Sequence, residues 1–164
     1  MILWLTGQPG AGKTTLAKEV VANLKESYDA FHLDGDDLRD IYDNKDYSEK
    51  GRRANIELAM NIARFLDNKG CHVVCSLVSP YRDMRDQLKS ERDVKEFYIH
   101  TTEIRGRENY FAEGYQPPIN DYIDIDTTNR SIEECVNEIL NVYRPMATMA
   151  PRTSVVNQPA IIWG

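Results

Sequence analysis

At 164 residues the chain has the length of one ordinary domain, enough to bury a core without disulfide or metal staples. Its 41% hydrophobic and 28% charged residues are a globular rather than a disordered composition, and no apolar run approaches the ~18 residues that a membrane span needs. Twenty basic against 26 acidic residues leave a net charge of -6, which excludes non-specific adhesion to nucleic acid or a membrane surface, so any anionic ligand must be held by a local cluster.

The apolar stretch Ile2–Leu5 predicts the first strand; it is too short for a secretory leader and runs at once into glycines. Gly7-Gln8-Pro9-Gly10-Ala11-Gly12-Lys13-Thr14, followed by Thr15, matches GxxxxGK[ST] between that strand and a helix predicted over Lys13–Glu26. Glycines allow successive backbone N–H groups to turn around a polyphosphate, and the helix N-terminus adds partial positive charge. Lys13 is then placed to reach the β- and γ-phosphates, and the Thr14 hydroxyl to ligate Mg²⁺. A chance glycine turn with a lysine explains the flanking strand and helix less well.

A second strand, Ala30–Leu33, runs into Asp34-Gly35-Asp36-Asp37-Leu38-Arg39. Carboxylates at the C-terminal edge of a parallel strand lie in the ligand crevice of open α/β sheets. There Asp34 or Asp36 can hold Mg²⁺ through water or take the proton of an attacking hydroxyl; the competing structural reading is that Asp36 or Asp37 caps the next helix. A long helix over Ser48–Asn68 follows, with Ile56, Ala59, Ala63 and Leu66 facing the sheet and Lys69-Gly70 ending it. Near its start Arg52 and Asn55 share a face; a guanidinium fork suits a phosphate or sulfate, although the pair taken alone also describes a solvated charged surface.

The third strand, His72–Val78, leads to Ser79-Pro80-Tyr81-Arg82. Proline suits the first turn of a helix, so Ser79 is expected as its N-cap, with Arg82 and Arg85 on one helix face. Strands follow at Glu96–His100 and Tyr122–Ile125, then a helix near Ser131–Tyr143 that opens with the capping box Ser131-Ile-Glu-Glu134. Between these strands, Thr101–Asn120 carries Gly106, Gly114, Pro117 and Pro118 beside Arg105 and Arg107, and reads as a long functional loop. The three cysteines, Cys71, Cys75 and Cys135, form no metal pattern and no CxxC, and are expected as small buried residues in a reducing cytosol.

Short apolar runs alternating with amphipathic ones predict an α/β protein: a three-layer P-loop NTPase fold, with a mostly parallel five-stranded sheet and helices on both faces. The domain is expected over residues 1–144, with a lid at about 101–120 and a tail at 145–164. A GTPase would need an NKxD motif, which Asn44-Lys45-Asp46-Tyr47 misses, and the DxxG letters of Asp67–Gly70 are better explained as a helix end. A large ATPase motor is disfavoured by the chain length. A small-molecule kinase remains.

Taken together, these residues resemble the adenylylsulfate (APS) kinase family. The resemblance is carried by Gly7–Thr15, Leu33–Arg39, Tyr47-Ser48 with Arg52 and Asn55-Ile56, and Ser76–Arg82 with Arg85-Asp86, in the family's order and spacing. It implies a cytoplasmic enzyme, in a family that often forms homodimers, that uses ATP and Mg²⁺ to phosphorylate the 3′-hydroxyl of the small nucleotide APS. By the same resemblance Gly7–Thr15 would bind ATP, Thr14 and Asp34 the metal, and Lys13, Asp34 and Asp36 would serve the transfer. Arg39, Arg52, Asn55, Asp36, Ser79 and Arg82 would meet the acceptor, and Tyr47 and Phe111 would sandwich its base. Ser79 matches the serine that the family assigns to a phosphoserine intermediate, although a P-loop kinase needs positioning rather than a covalent relay. One departure stands out: the family's long lysine-rich lid is here short and lysine-free, with Arg105 and Arg107 in place of its charges, which leaves open a related kinase for another nucleotide. A binding module without catalysis is the third reading, opposed by the retention of Lys13, Thr14, Asp34 and Asp36.

Overall fold

The computed structural model describes residues 1–146, so most of the expected tail lies outside the described residues. Five strands, β1 (Ile2–Thr6), β2 (Ala30–Asp34), β3 (His72–Ser76), β4 (Val94–His100) and β5 (Tyr122–Asp126), form a sheet in the order β2-β3-β1-β4-β5. Each neighbouring pair is parallel, so the sheet is parallel throughout rather than mostly so. Parallel strands need crossovers, and the crossovers bury both sheet faces, which is why the central strands are almost continuously apolar.

Alternation along β1 divides the core. Ile2 and Trp4 join Val73, Cys75 and Leu33 on one face, covered by α2 (Gly35–Tyr42), α3 (Glu49–Asn68) and α4 (Arg82–Glu91) through Leu38, Ile56, Met60 and Leu88. Leu3 and Leu5 join Val74, Phe97, Ile99 and Ile125 on the other, covered by α1 (Lys13–Leu24) and α5 (Ile132–Leu140) through Leu16, Val20, Val136 and Ile139. Cys71, Cys75 and Cys135 are buried free thiols, and among the described residues no helix is long and apolar enough to cross a membrane.

Helix ends depart from the sequence reading where a better partner exists. Ser48 caps α3 through the N–H of Gly51 (3.3 Å), and Ser131 caps α5 through that of Glu134 (3.2 Å). At α2, however, the cap is Asp34 rather than Asp36 or Asp37; its carboxylate accepts the N–H groups of both. At α4 Ser79 is not the N-cap: that position falls on Tyr81, which has no side-chain cap bond. The Ser79 hydroxyl is instead drawn into the sheet by the buried indole of Trp4, whose Nε1–H donates to it at 2.9 Å. A buried indole requires an acceptor, and that need outweighs capping.

Arg85 and Arg82 also part company. Arg85 is 2% exposed and donates from Nε to Glu96 Oε1 at 2.6 Å, while Lys89 Nζ lies 2.6 Å from Glu96 Oε2. Its Nη1 and Nη2 donate to the carbonyls of Ser79 and Gln116. Removing one partner of such a pair strands a buried charge, which costs about 3–5 kcal/mol, whereas an exposed pair is worth roughly 0.2–1 kcal/mol. In urea denaturation, therefore, Glu96→Gln is expected to lower the unfolding free energy by about 3 kcal/mol. Asp83→Asn, which breaks the surface pair of Asp83 with Arg53, should cost less than about 1 kcal/mol; equal losses would contradict the assignment.

Candidate active site

The phosphate loop joins β1 to α1 at the C-terminal edge of the sheet. A Cβ at Gly7 would collide with the Ile99 carbonyl of β4, and Gly12 holds φ +110, a backbone that side chains resist. Lys13 opens α1 and is 8% exposed, its Nζ donating to the Gln8 carbonyl at 2.9 Å. Burial lowers its pKa to about 8; Asp34 and Asp36 pull upward and Arg107 pushes further down.

The segment expected as a lid, 101–120, is fastened to this loop. Gln8 exchanges two hydrogen bonds with the backbone of Ala112: its Nε2 donates to the carbonyl (3.1 Å) and its Oε1 accepts the N–H (2.8 Å). Arg105 donates from Nη1 to the carbonyls of Gly10 (3.1 Å) and Ala11 (3.0 Å), and from Nη2 to that of Thr127 (3.2 Å). Arg107 packs its stem against Gly10. Pro9 lies in the turn of the loop, and Thr15 helps line a cavity of about 240 Å³ with Gly12, Arg105, Thr127 and Arg130. Thr127 and Arg130 carry no sequence signal; parallel pairing of β4 with β5 brings them there.

Asp34 is the most heavily bonded carboxylate of the site. Oδ1 accepts from Thr14 Oγ1 (2.9 Å) and Ser76 Oγ (2.6 Å); Oδ2 accepts the N–H groups of Asp36 (3.1 Å) and Asp37 (3.4 Å). Burial pushes its pKa up, but hydrogen bonds from Ser76 and Thr14, the His32 ring and the Asp36 N–H together hold it below the ordinary carboxylate range. His32 Nε2 lies 2.7 Å from Ser76 Oγ, and burial lowers the His32 pKa against the pull of Asp34. Asp36 is exposed in the first turn of α2, with no side-chain hydrogen bond among the described residues. Neither His32 nor Ser76 was singled out in the sequence; strand register sets Asp34 beside Ser76.

On the acceptor side, a cleft of about 560 Å³ brings together Tyr47, Arg52 and Phe111, with Arg53, Tyr81 and Gln116. Arg39 stacks 4.1 Å over the Tyr47 ring and donates to the carbonyls of Asn44 and Asp46, both at 3.0 Å. Arg52 Nε donates to the Tyr47 carbonyl at 2.8 Å. Asn55 is buried on α3, its Nδ2 donating to the Gly35 carbonyl (3.2 Å) while Oδ1 has no partner among the described residues. Arg82 does not line this cleft: its Nε and Nη2 grip the Pro117 carbonyl at 2.9 and 2.7 Å, anchoring the end of the lid. Ser79 is 2% exposed with φ +39, and its hydroxyl donates to Thr6 Oγ1 (3.0 Å). Thr6 in turn meets the Tyr115 hydroxyl at 2.8 Å. Arg53, stacked 4.3 Å over Tyr81, and Gln116 were not anticipated, because they reach the cleft through contacts between α3, α4 and the lid.

The site thus combines a phosphate loop holding a buried lysine, a bonded and an exposed carboxylate near it, and a cleft whose aromatic rings and arginines are accompanied by Glu49 and Glu113. Residues 1–109 match the family model described as adenylylsulphate kinase. The adenylyl-sulfate kinase of Rippkaea orientalis is 30% identical over 175 aligned positions, covering 93% of this chain and 96% of the relative. That of Chloroflexus aurantiacus is 30% identical over 163, covering 85% and 87%. The Mycobacterium tuberculosis APS kinase CysC, solved in complex with AMPPNP and APS, superposes with a TM-score of 0.74 over 86% of this chain and 95% of its own; at 23% identity that likeness speaks for the fold. Sequence, fold and site geometry converge: the chain is a kinase of the adenylylsulfate kinase family.

Proposed function

We propose that this kinase transfers the γ-phosphate of ATP to the 3′-hydroxyl of APS, giving ADP and 3′-phospho-APS. The observation that carries this reading is the Tyr47–Phe111 cleft with Arg52 and Arg53, tied to the phosphate loop through Gln8, whose amide holds Ala112 next to Phe111. A purine fits between two aromatic rings, and guanidinium groups suit a phosphosulfate.

The two carboxylates divide the work. Asp34, saturated with donors and held ionised, is a poor proton acceptor and a good partner for a cation. The Thr14 proton is spent on Asp34, so the lone pairs of the Thr14 oxygen are left for a hard cation such as Mg²⁺. Among the described residues no cluster of three or more His, Cys, Asp or Glu could hold a metal unaided. That supports an ion that arrives with the nucleotide's phosphates, where Mg²⁺ would offset charge on the β- and γ-oxygens. Asp36, exposed and unbonded, is the group free to take the proton from the 3′-hydroxyl as its oxygen bonds to the γ-phosphorus and ADP departs. Lys13 supplies positive charge to the transferring group.

Direct in-line transfer is favoured over a phosphoserine relay, because the Ser79 hydroxyl is buried between Trp4 and Thr6. Ser79→Ala is accordingly expected to keep most of its turnover, whereas Asp36→Asn should lose roughly 10²–10⁴-fold in kcat; the opposite pattern would restore the relay. ADP release from MgATP, with APS and a panel of other nucleotides as acceptors, tests the substrate. APS-dependent turnover with 3′-phospho-APS as product is expected, and silence with APS alongside turnover of another nucleotide would reassign the acceptor.

The depressed pKa of Lys13, about 8 against an ordinary 10.5, carries a pH signature. Below pH 8 the ammonium is charged in both the folded and unfolded chain, so its desolvation weakens the empty protein; this weakness is relieved as pH rises from 8 toward 10.5. A bound polyphosphate favours the charged form again. Calorimetry of MgADP binding in buffers of different ionisation enthalpy should therefore show little proton uptake near pH 7 and an uptake approaching one proton by about pH 9. No uptake at either pH would remove Lys13 from the phosphate site.

A further inference from the structure

The pair formed by Ser76 and His32 takes no part in the reaction just described, yet it stands directly behind Asp34. Ser76 has one proton and an ionised carboxylate only accepts, so the 2.6 Å contact from Ser76 Oγ to Asp34 Oδ1 consumes that proton. The 2.7 Å contact between His32 Nε2 and the same Oγ must then run the other way, with Nε2–H donating to the serine. His32 cannot act on Asp34 directly, since its Nε2 is 3.8 Å from Oδ1. Donation is thus directional across two strands, from His32 to Ser76 to Asp34, and each bond polarises the next. Among the bonds to Asp34 that from Ser76 is the shortest, and Ser76 is 3% exposed, so water competes little for it.

We propose that Ser76 and His32 are positioning residues that fix Asp34 for its cation, His32 acting through Ser76. Packing alone does not call for them: burying a hydroxyl and an imidazole at this edge is unfavourable unless their hydrogen bonds are made. Groups that orient a metal-side carboxylate typically change metal affinity by about 10–100-fold when lost. The inference rests on the reading of Asp34 as the partner of the nucleotide's Mg²⁺.

The experiment is calorimetric titration of the full chain with ADP in EDTA and with MgADP, which isolates the metal-dependent gain in affinity from nucleotide binding itself. Ser76→Ala should reduce that gain by about 10-fold and leave ADP affinity without metal unchanged. Ser76→Thr, which keeps the hydroxyl, should restore it. His32→Leu should reduce it as well, His32→Gln should preserve it through the amide N–H, and His32→Leu in the Ser76→Ala background should add nothing. A wild-type gain in Ser76→Ala, or losses that simply add in the double variant, would overturn the proposal. Should Ser76→Ala fail to fold, equal gains for His32→Leu and His32→Gln would overturn it instead. Asp34→Asn separates the two levels: if it keeps the full metal gain, the reading of Asp34 itself fails, whereas loss in Asp34→Asn with none in Ser76→Ala removes only the pair.

Discussion

A guanidinium with almost no water around it needs protein acceptors, and Arg85 draws three of them from separate parts of this molecule. Its partners lie in three places distant in sequence: the Glu96 carboxylate on β4, the Ser79 carbonyl at the turn after β3, and the Gln116 carbonyl in the lid. A charge that is expensive to strand therefore couples the sheet, the turn and the lid. The Tyr115 ring, 5.7 Å from the guanidinium, carries the linkage to Thr6 and so to the start of the phosphate loop.

The site built on that frame separates charges by environment. Asp34 and Asp36 stand two positions apart, yet one is buried among four hydrogen bonds and the other is exposed to solvent. The same carboxylate chemistry is thus held in two environments, and the proposed division between a cation partner and a proton acceptor rests on that difference. Lys13 is desolvated in the empty protein, an instance of stability given up where a ligand will supply the missing charge.

Brevity in the lid is matched by direct attachment. Gln8 holds Ala112 by two bonds, Arg105 covers two loop carbonyls, and Arg82 grips Pro117 at the far end. Here those contacts are arginine forks and a paired amide rather than a lysine-rich stretch.

By itself the sequence determined the elements whose causes are local. The strand–glycine loop–helix unit, the apolar face of α3, the Ser131 cap and the strand end carrying Asp34 all follow from spacing, backbone freedom or nearest-neighbour hydrogen bonds, whereas the third strand, expected to Val78, stops at Ser76. Tertiary structure decided everything that depends on competition between distant partners. Ser79 capped α4 in the local reading, but the Trp4 indole claimed its hydroxyl; Arg82 and Arg85 shared a face in periodicity, but only Arg85 met a buried carboxylate. His32 lies in no motif, and the segment that begins at Ser76 gives that serine no role: parallel register sets Ser76 beside Asp34, and a period of two puts His32 on the same strand face. Burial then makes those bonds obligatory, because a polar group cut off from water has no partner except the one the fold supplies.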